Sequence, residues 1–193
     1  EVMVGAILTQ NTAWTNVEKA IANLKAAGVL DAGKMLELPD AELARHLRPS
    51  GYFNIKTQRL KSFLKFFHEG YGADLKRIKI IPLPALREQL LAVHGIGPET
   101  ADSILLYALG KRTFVVDAYT RRIFSRLGLV GKDATYHEMQ EYFHANLPPN
   151  IGLYNDYHAQ IVQLGKDICR PKPRCAICPV QSICLFSRNA APA

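Results

Sequence analysis

Four cysteines, Cys169, Cys175, Cys178 and Cys184, are the only ones in the chain, and all fall in its last 25 residues, in the run CRPKPRCAICPVQSIC. The spacing is C-x5-C-x2-C-x5-C. Two disulfides are one way to use them. At 193 residues, however, the chain is long enough to build its own core without such staples. Soft thiolates gathered in one loop fit a bound metal ion or an iron–sulfur cluster. Zinc ribbons usually present two close CxxC pairs, and this run has one, Cys175–Cys178. Spacing alone favours a [4Fe–4S] cluster and keeps zinc open.

The chain carries 24 Lys+Arg against 17 Asp+Glu, a formal charge of +7, which permits a polyanionic partner without requiring one. The longest apolar runs are broken by charges, so no segment reads as membrane-spanning. No signal peptide is visible. The chain starts at Glu1, without methionine and inside an apolar helical pattern, which reads as a trimmed N-terminus.

Helical periodicity runs through nearly the whole length. Val4, Ile7 and Leu8 share a face; Val17, Ala20, Ile21 and Leu24 repeat at helical spacing before Gly28. Leu43 and Leu47 mark a short helix ending near Pro49–Gly51, and Leu60, Phe63, Leu64 and Phe67 mark another. Further helices are expected through Leu86–Val93, through Ile104–Ala108, and over 123–127, 136–145 and 154–164. Only Thr113–Val116 looks extended, and it is too short to found a sheet. The expected fold class is all-α.

A second feature is the run Leu90–Ala101, LLAVHGIGPETA. One helix ends, Gly95-Ile96-Gly97 makes a tight turn, and Pro98 opens the next helix at a position that tolerates proline. This pattern predicts a helix-hairpin-helix. Glycine lets the backbone approach a phosphate, and amides at a helix N-terminus bind anions. Ile96 is expected to anchor the turn in the core. Twenty residues after Gly97 comes Val115-Val116-Asp117, a carboxylate following a buried stretch. By itself Asp117 reads as a helix N-cap.

Hairpin, then Val-Val-Asp, then a terminal four-cysteine loop, in that order, resembles the endonuclease III superfamily of base-excision DNA glycosylases. The resemblance runs from Leu8-Thr9-Gln10-Asn11-Thr12 to Cys184. It implies a helix-hairpin-helix glycosylase fold: a six-helix domain over 5–115, with the hairpin at about 86–109, and a cluster domain from 1–4 and 116–193. In that family DNA lies in a cleft between the domains, and the four cysteines hold a [4Fe–4S] cluster, so the resemblance sets iron–sulfur ahead of zinc. Two departures stand out. The family's first cysteine gap is usually six residues and here it is five, Arg170 to Arg174; an N-terminal segment that helps build the cluster domain is missing.

The same resemblance implies that Asp117 is the catalytic aspartate, stabilising positive charge on the sugar and helping to activate water. Bifunctional members carry a Schiff-base lysine two residues after the second hairpin glycine; here that residue is Glu99, which cannot form an imine. A monofunctional, water-using enzyme is therefore expected. Adenine-removing relatives carry a glutamate five residues before the position of Gln10, and here that position is Gly5. The run Thr9–Trp14 together with His94–Gly97 is similar to the 3-methyladenine branch. An N-alkylated purine is cationic and leaves easily; Trp14 could stack on it through a cation–π contact, with Glu99 and Tyr107 also lining the pocket. The base must leave the helix stack to be reached. Gln10 matches the residue that fills the gap, and Tyr52 and Phe53 match the loop that wedges into the opposite strand. Lys56, Arg59, Lys61, Gly95, Gly97, Thr100, Arg170, Lys172 and Arg174 are further expected DNA contacts. His68, His137 and His158 read as surface or packing residues.

These readings sum to a cytoplasmic, monomeric enzyme of a bacterial or archaeal nucleoid, acting on damaged double-stranded DNA. A bifunctional lyase for oxidised pyrimidines and a non-catalytic DNA-binding module remain alternatives.

Overall fold

The computed structural model describes residues 1–189. Among them the chain forms helices and turns with no strand, and none of the helices is long and apolar enough to cross a membrane. Two compact units result, one over Glu1–Lys111 and one from Arg112 onward.

The first unit grows from the apolar stripes seen in the sequence. Its helices are α1 (Val2–Leu8), α2 (Trp14–Ala26), α3 (Ala32–Glu37), α4 (Asp40–Leu47), α5 (Phe53–Tyr71), α6 (Leu75–Lys79), α7 (Leu83–Ala92) and α8 (Pro98–Ser103), the last running on as a π-helical turn over Ile104–Ala108. Helix α5 is the spine, because Leu60, Phe63, Leu64 and Phe67 recur at i, i+3, i+4 and i+7 and are all buried. Helices α1, α3, α4 and α6 pack against it. Asp31 and Asp74 cap α3 and α6 by accepting from Lys34 N and Lys76 N. The expectation placed residues 1–4 with the cluster domain. Met3 and Val4 are instead buried in the core of the first unit, so α1 belongs there.

The second unit holds α9 (Ala118–Leu127), α10 (Tyr136–Asn146), α11 (Ile151–Asp167) and α12 (Leu185–Asn189). Its core is aromatic: Phe114 stacks on Phe143 with ring centroids 3.8 Å apart, and Tyr154 and Phe124 meet this pair edge-on. That stack places Thr113–Val116 in the second unit. The segment is extended without a sheet because side chains satisfy its backbone. Gln140 donates to Phe114 O (2.7 Å), Phe114 N donates to His144 Nε2 (3.2 Å) and Val116 N donates to Tyr136 Oη (3.4 Å). A Thr135–Glu138 capping box starts α10, and Asn150 caps α11.

Candidate functional site

The hairpin lies in the first unit. Helix α7 ends at Ala92, and the chain turns through Val93–Gly97 before Pro98 opens α8. Ile96 is 5% exposed and anchors the turn, as its apolar side chain between two glycines predicts. The two glycines have different reasons to be there. Gly95 has φ +82°, and a Cβ on it would sit 2.2 Å from Arg59 Cγ, so the fold itself excludes a side chain. Gly97 has an ordinary φ of −92°, and a Cβ there would meet open space.

Gln10 is tied to this turn. Its Nε2 donates to Gly95 O (3.0 Å) and Thr100 Oγ1 (2.9 Å), and Arg59 donates to its Oε1. Arginine only donates, so this contact fixes which way the amide points. Gln10, Asn11, Arg59, His94, Glu99 and the hairpin glycines share one open, polar recess. Glu99 is exposed in the first turn of α8.

Three basic residues of α5 had been expected to meet phosphate, and the structure separates them. Lys56 is a correction: it is 1% exposed, and its Nζ donates to Leu8 O (2.8 Å) and Ser50 O (2.6 Å). Burial, with the nearby Arg59 charge adding to it, brings its pKa down to about 8. Its sequence neighbours suggested a solvent-facing basic stripe, but helical phase turns Lys56 inward with Leu60. Lys61 is held by Asp40 (2.6 Å) and Leu38 O (2.6 Å). Arg59 alone of the three reaches the recess.

The expected wedge splits similarly. Tyr52 sits at φ +46° and is 70% exposed, whereas Phe53 packs partly buried against the core. Trp14 opens α2, is 49% exposed, and lays its ring over Gly5, where a Cβ would come within 3.1 Å of the indole. Gly5 thus clears space for the tryptophan. Tyr107, 39% exposed, lines a different recess with Met3, Phe63 and Phe67, and Trp14 is not among its walls.

Asp117 lies in the second unit and N-caps α9. Its Oδ1 accepts from Thr120 N (2.7 Å) and Thr120 Oγ1 (2.9 Å). Its Oδ2 faces His158 Nε2 at 3.6 Å. Burial, the largest influence, pushes the carboxyl up; His158 and the Thr120 bonds outweigh it and hold Asp117 below the usual carboxylate range. His68 and His137 are exposed, as expected, but His158 is buried beside Asp117. The two residues are 41 positions apart, so no local pattern in the sequence links them; the one available signal is a histidine on the apolar face of α11.

The four cysteines line one apolar cavity, walled by Ile123, Leu127, Leu164, Ile168 and Phe186. None of the four is in a disulfide, and all are partly buried. Among the described residues no group of three His, Cys, Asp or Glu side chains is placed to hold a metal ion. Arginines of α9 knit the loop. Arg122 donates to Cys169 O (2.8 Å) and Gly165 O (3.0 Å); Arg126 donates to Cys169 Sγ (3.3 Å), Arg170 O (2.6 Å) and Pro171 O (2.9 Å) and lies over the Phe186 ring. Arg170, Lys172 and Arg174 stay exposed on the same loop.

An all-α fold with a glycine hairpin and a partly buried aspartate capping the next helix has the arrangement of a helix-hairpin-helix DNA glycosylase. Residues 4–149 match the family described as "HhH-GPD superfamily base excision DNA repair protein", and the chain belongs to that family. It is 49% identical over 186 residues to "Putative DNA repair glycosylase MJ1434" of Methanocaldococcus jannaschii, covering 96% of this chain and 84% of that protein. It is 29% identical over 193 residues to the endonuclease III of Thermotoga maritima, covering 97% and 83%. Among solved structures, the H. pylori 3-methyladenine DNA glycosylase (MagIII) bound to 1,N6-ethenoadenine superposes with a TM-score of 0.76 at 31% identity, over 86% of this chain and 83% of that one. A non-covalent endonuclease III–DNA complex reaches 0.83 at 20% identity, over 97% and 83%, and attests the fold. The protein is a DNA repair glycosylase, an enzyme that binds and acts on DNA.

Proposed function

We propose that this glycosylase is monofunctional and releases N-alkylated purines, 3-methyladenine among them, from double-stranded DNA. The observation that carries the first half is Glu99, exposed at the hairpin position where a lyase needs an amine. The second half is supported by the half-exposed Trp14 indole over Gly5 and by the 31% identity to a 3-methyladenine glycosylase.

The chemistry follows from the groups present. An N-alkylpurine carries positive charge, so breaking the N-glycosidic bond sends the bonding pair to the base and releases it neutral. The charge moves to the sugar, where the ionised Asp117 stabilises it. Water adds to the anomeric carbon, and Asp117 takes its proton. In this reading Trp14 holds the cationic base by stacking, which favours charged over neutral substrates. Tyr52 opens the duplex; Gln10 fills the gap after its bonds to the hairpin are exchanged for DNA. Gly97, whose missing side chain the fold does not require, marks the hairpin's approach to phosphate.

We read the four thiols, which line one cavity, as the residues that would hold a [4Fe–4S] cluster, with zinc the less favoured alternative, because one loop supplies an all-cysteine ligand set. Such a cluster supplies a structural hub for the loop that displays Arg170, Lys172 and Arg174; the base chemistry uses none of it. The enzyme acts as a monomer.

Incubating the protein with duplexes carrying methylated purine, uracil, thymine glycol or 8-oxoguanine, with and without borohydride, tests this reading. Free methylpurine and no trapped protein–DNA adduct are expected. An adduct on abasic DNA overturns the monofunctional assignment, and release of thymine glycol alone overturns the substrate.

A further inference from the structure

We propose that His158 is a positioning residue for Asp117, orienting its Oδ2 for the reacting sugar. This rests on the reading of Asp117 as the catalytic carboxylate.

The two carboxylate oxygens have separate tasks. Oδ1 accepts both Thr120 bonds and thereby caps α9, while Oδ2 is turned to the imidazole of α11. His158 is 7% exposed, and its ring meets Phe114 nearly perpendicular, at 81° with centroids 6.2 Å apart. Phe114 is itself locked in the aromatic stack, so the imidazole is oriented by the core. A histidine that merely filled space would gain nothing by turning its polar edge to a carboxylate. Asp117 has only 13% of its side chain exposed, a setting that opposes ionisation. An imidazole edge at 3.6 Å works against that. Asp117 comes ahead of α9. Titratable groups also meet the segment ahead of it: Tyr136 and His144 of α10 accept from its backbone, and Tyr154 and Tyr157 of α11 meet the Phe114 ring.

Thr120 alone would leave Oδ2 unguided. A carboxylate that must face a developing cation has to be both ionised and aimed, and the pair from two helices supplies both. The sugar then meets an anion whose geometry is set before DNA arrives.

The test compares the parent with His158→Phe, which removes the polar edge, and His158→Gln, which keeps an N–H but no charge. First, the Asp117 carboxyl is titrated by carbon-13 NMR in each protein without DNA. Its midpoint is expected to rise in both variants, further in His158→Phe. Second, single-turnover base release from duplex DNA methylated with dimethyl sulfate is followed against pH. The acid limb should move to higher pH in both variants, and His158→Phe should lose about tenfold near neutrality while DNA affinity stays within about twofold. Partial recovery in His158→Gln is part of the expectation. An unmoved Asp117 midpoint overturns the proposal. So does a pH-independent loss equal in both variants that follows a lower melting temperature, since that is a packing role. Should His158→Phe not fold, the His158→Gln midpoint decides alone. Asp117→Asn serves as the separating control: parent-like release by it sinks the glycosylase reading, whereas an inactive Asp117→Asn beside parent-like His158 variants sinks only this inference.

Discussion

Lys56 and Trp14 show how one side chain's surroundings decide its role. The Lys56 ammonium is buried and bonds two carbonyls from different segments, Leu8 O and Ser50 O. Lys56→Met should therefore cost about 1–3 kcal/mol of stability, because both carbonyls lose a charged partner in the interior. Duplex affinity should stay near the parent value; thermal melting and fluorescence anisotropy measure the two. Its pH dependence has a definite sign. The folded pKa, about 8, lies below that of the unfolded side chain, so the unfolded state holds more protons above pH 8. Lys56 thus makes the protein more stable as pH rises through that window, and Lys56→Met should abolish this rise. Trp14→Ala is expected to weaken release of cationic methylpurines by about 1 kcal/mol more than release of neutral bases. Equal losses on both in single-turnover release would remove the indole from the base pocket.

At the level of elements, the hairpin offers a clean separation of fold from function. Gly95→Ala should destabilise by roughly 1–3 kcal/mol, since it combines positive φ with a collision against Arg59. Gly97→Val should cost only about 1 kcal/mol of stability, as a poorer N-cap with open space around it, yet weaken binding to every duplex alike. A Gly97→Val protein that binds DNA like the parent takes the turn out of the interface. Elements differed in how much of them could be read from sequence. Helices α2 and α5 were legible because their buried residues recur through two or more turns. Helices α3 and α6 bury only Met35 and Ile78, one residue each, which leaves no periodicity to detect. Asp117 was legible as a cap because a carboxylate before Ala118 is a local signal; its contact with His158 spans separate helices and leaves no local trace. Lys56 misled for the same reason, since its partners come from α1 and from the turn before α5.

For the whole molecule, the cysteine loop and the positive charge carry the remaining claims. Protein purified without oxygen should be brown and hold about four iron atoms per chain, and stoichiometric zinc instead would refute the cluster. Affinity for duplex DNA should fall steeply with salt, as Lys and Arg contacts release counterions. The central claim, that Asp117 performs base excision, is tested most directly by single-turnover release of methylpurine from duplex DNA at saturating enzyme, comparing the parent with Asp117→Asn. The account predicts a loss of roughly 10²–10⁴-fold in the rate with little change in DNA affinity, because the charge is needed as the sugar becomes cationic. Release by Asp117→Asn at the parent rate would contradict it.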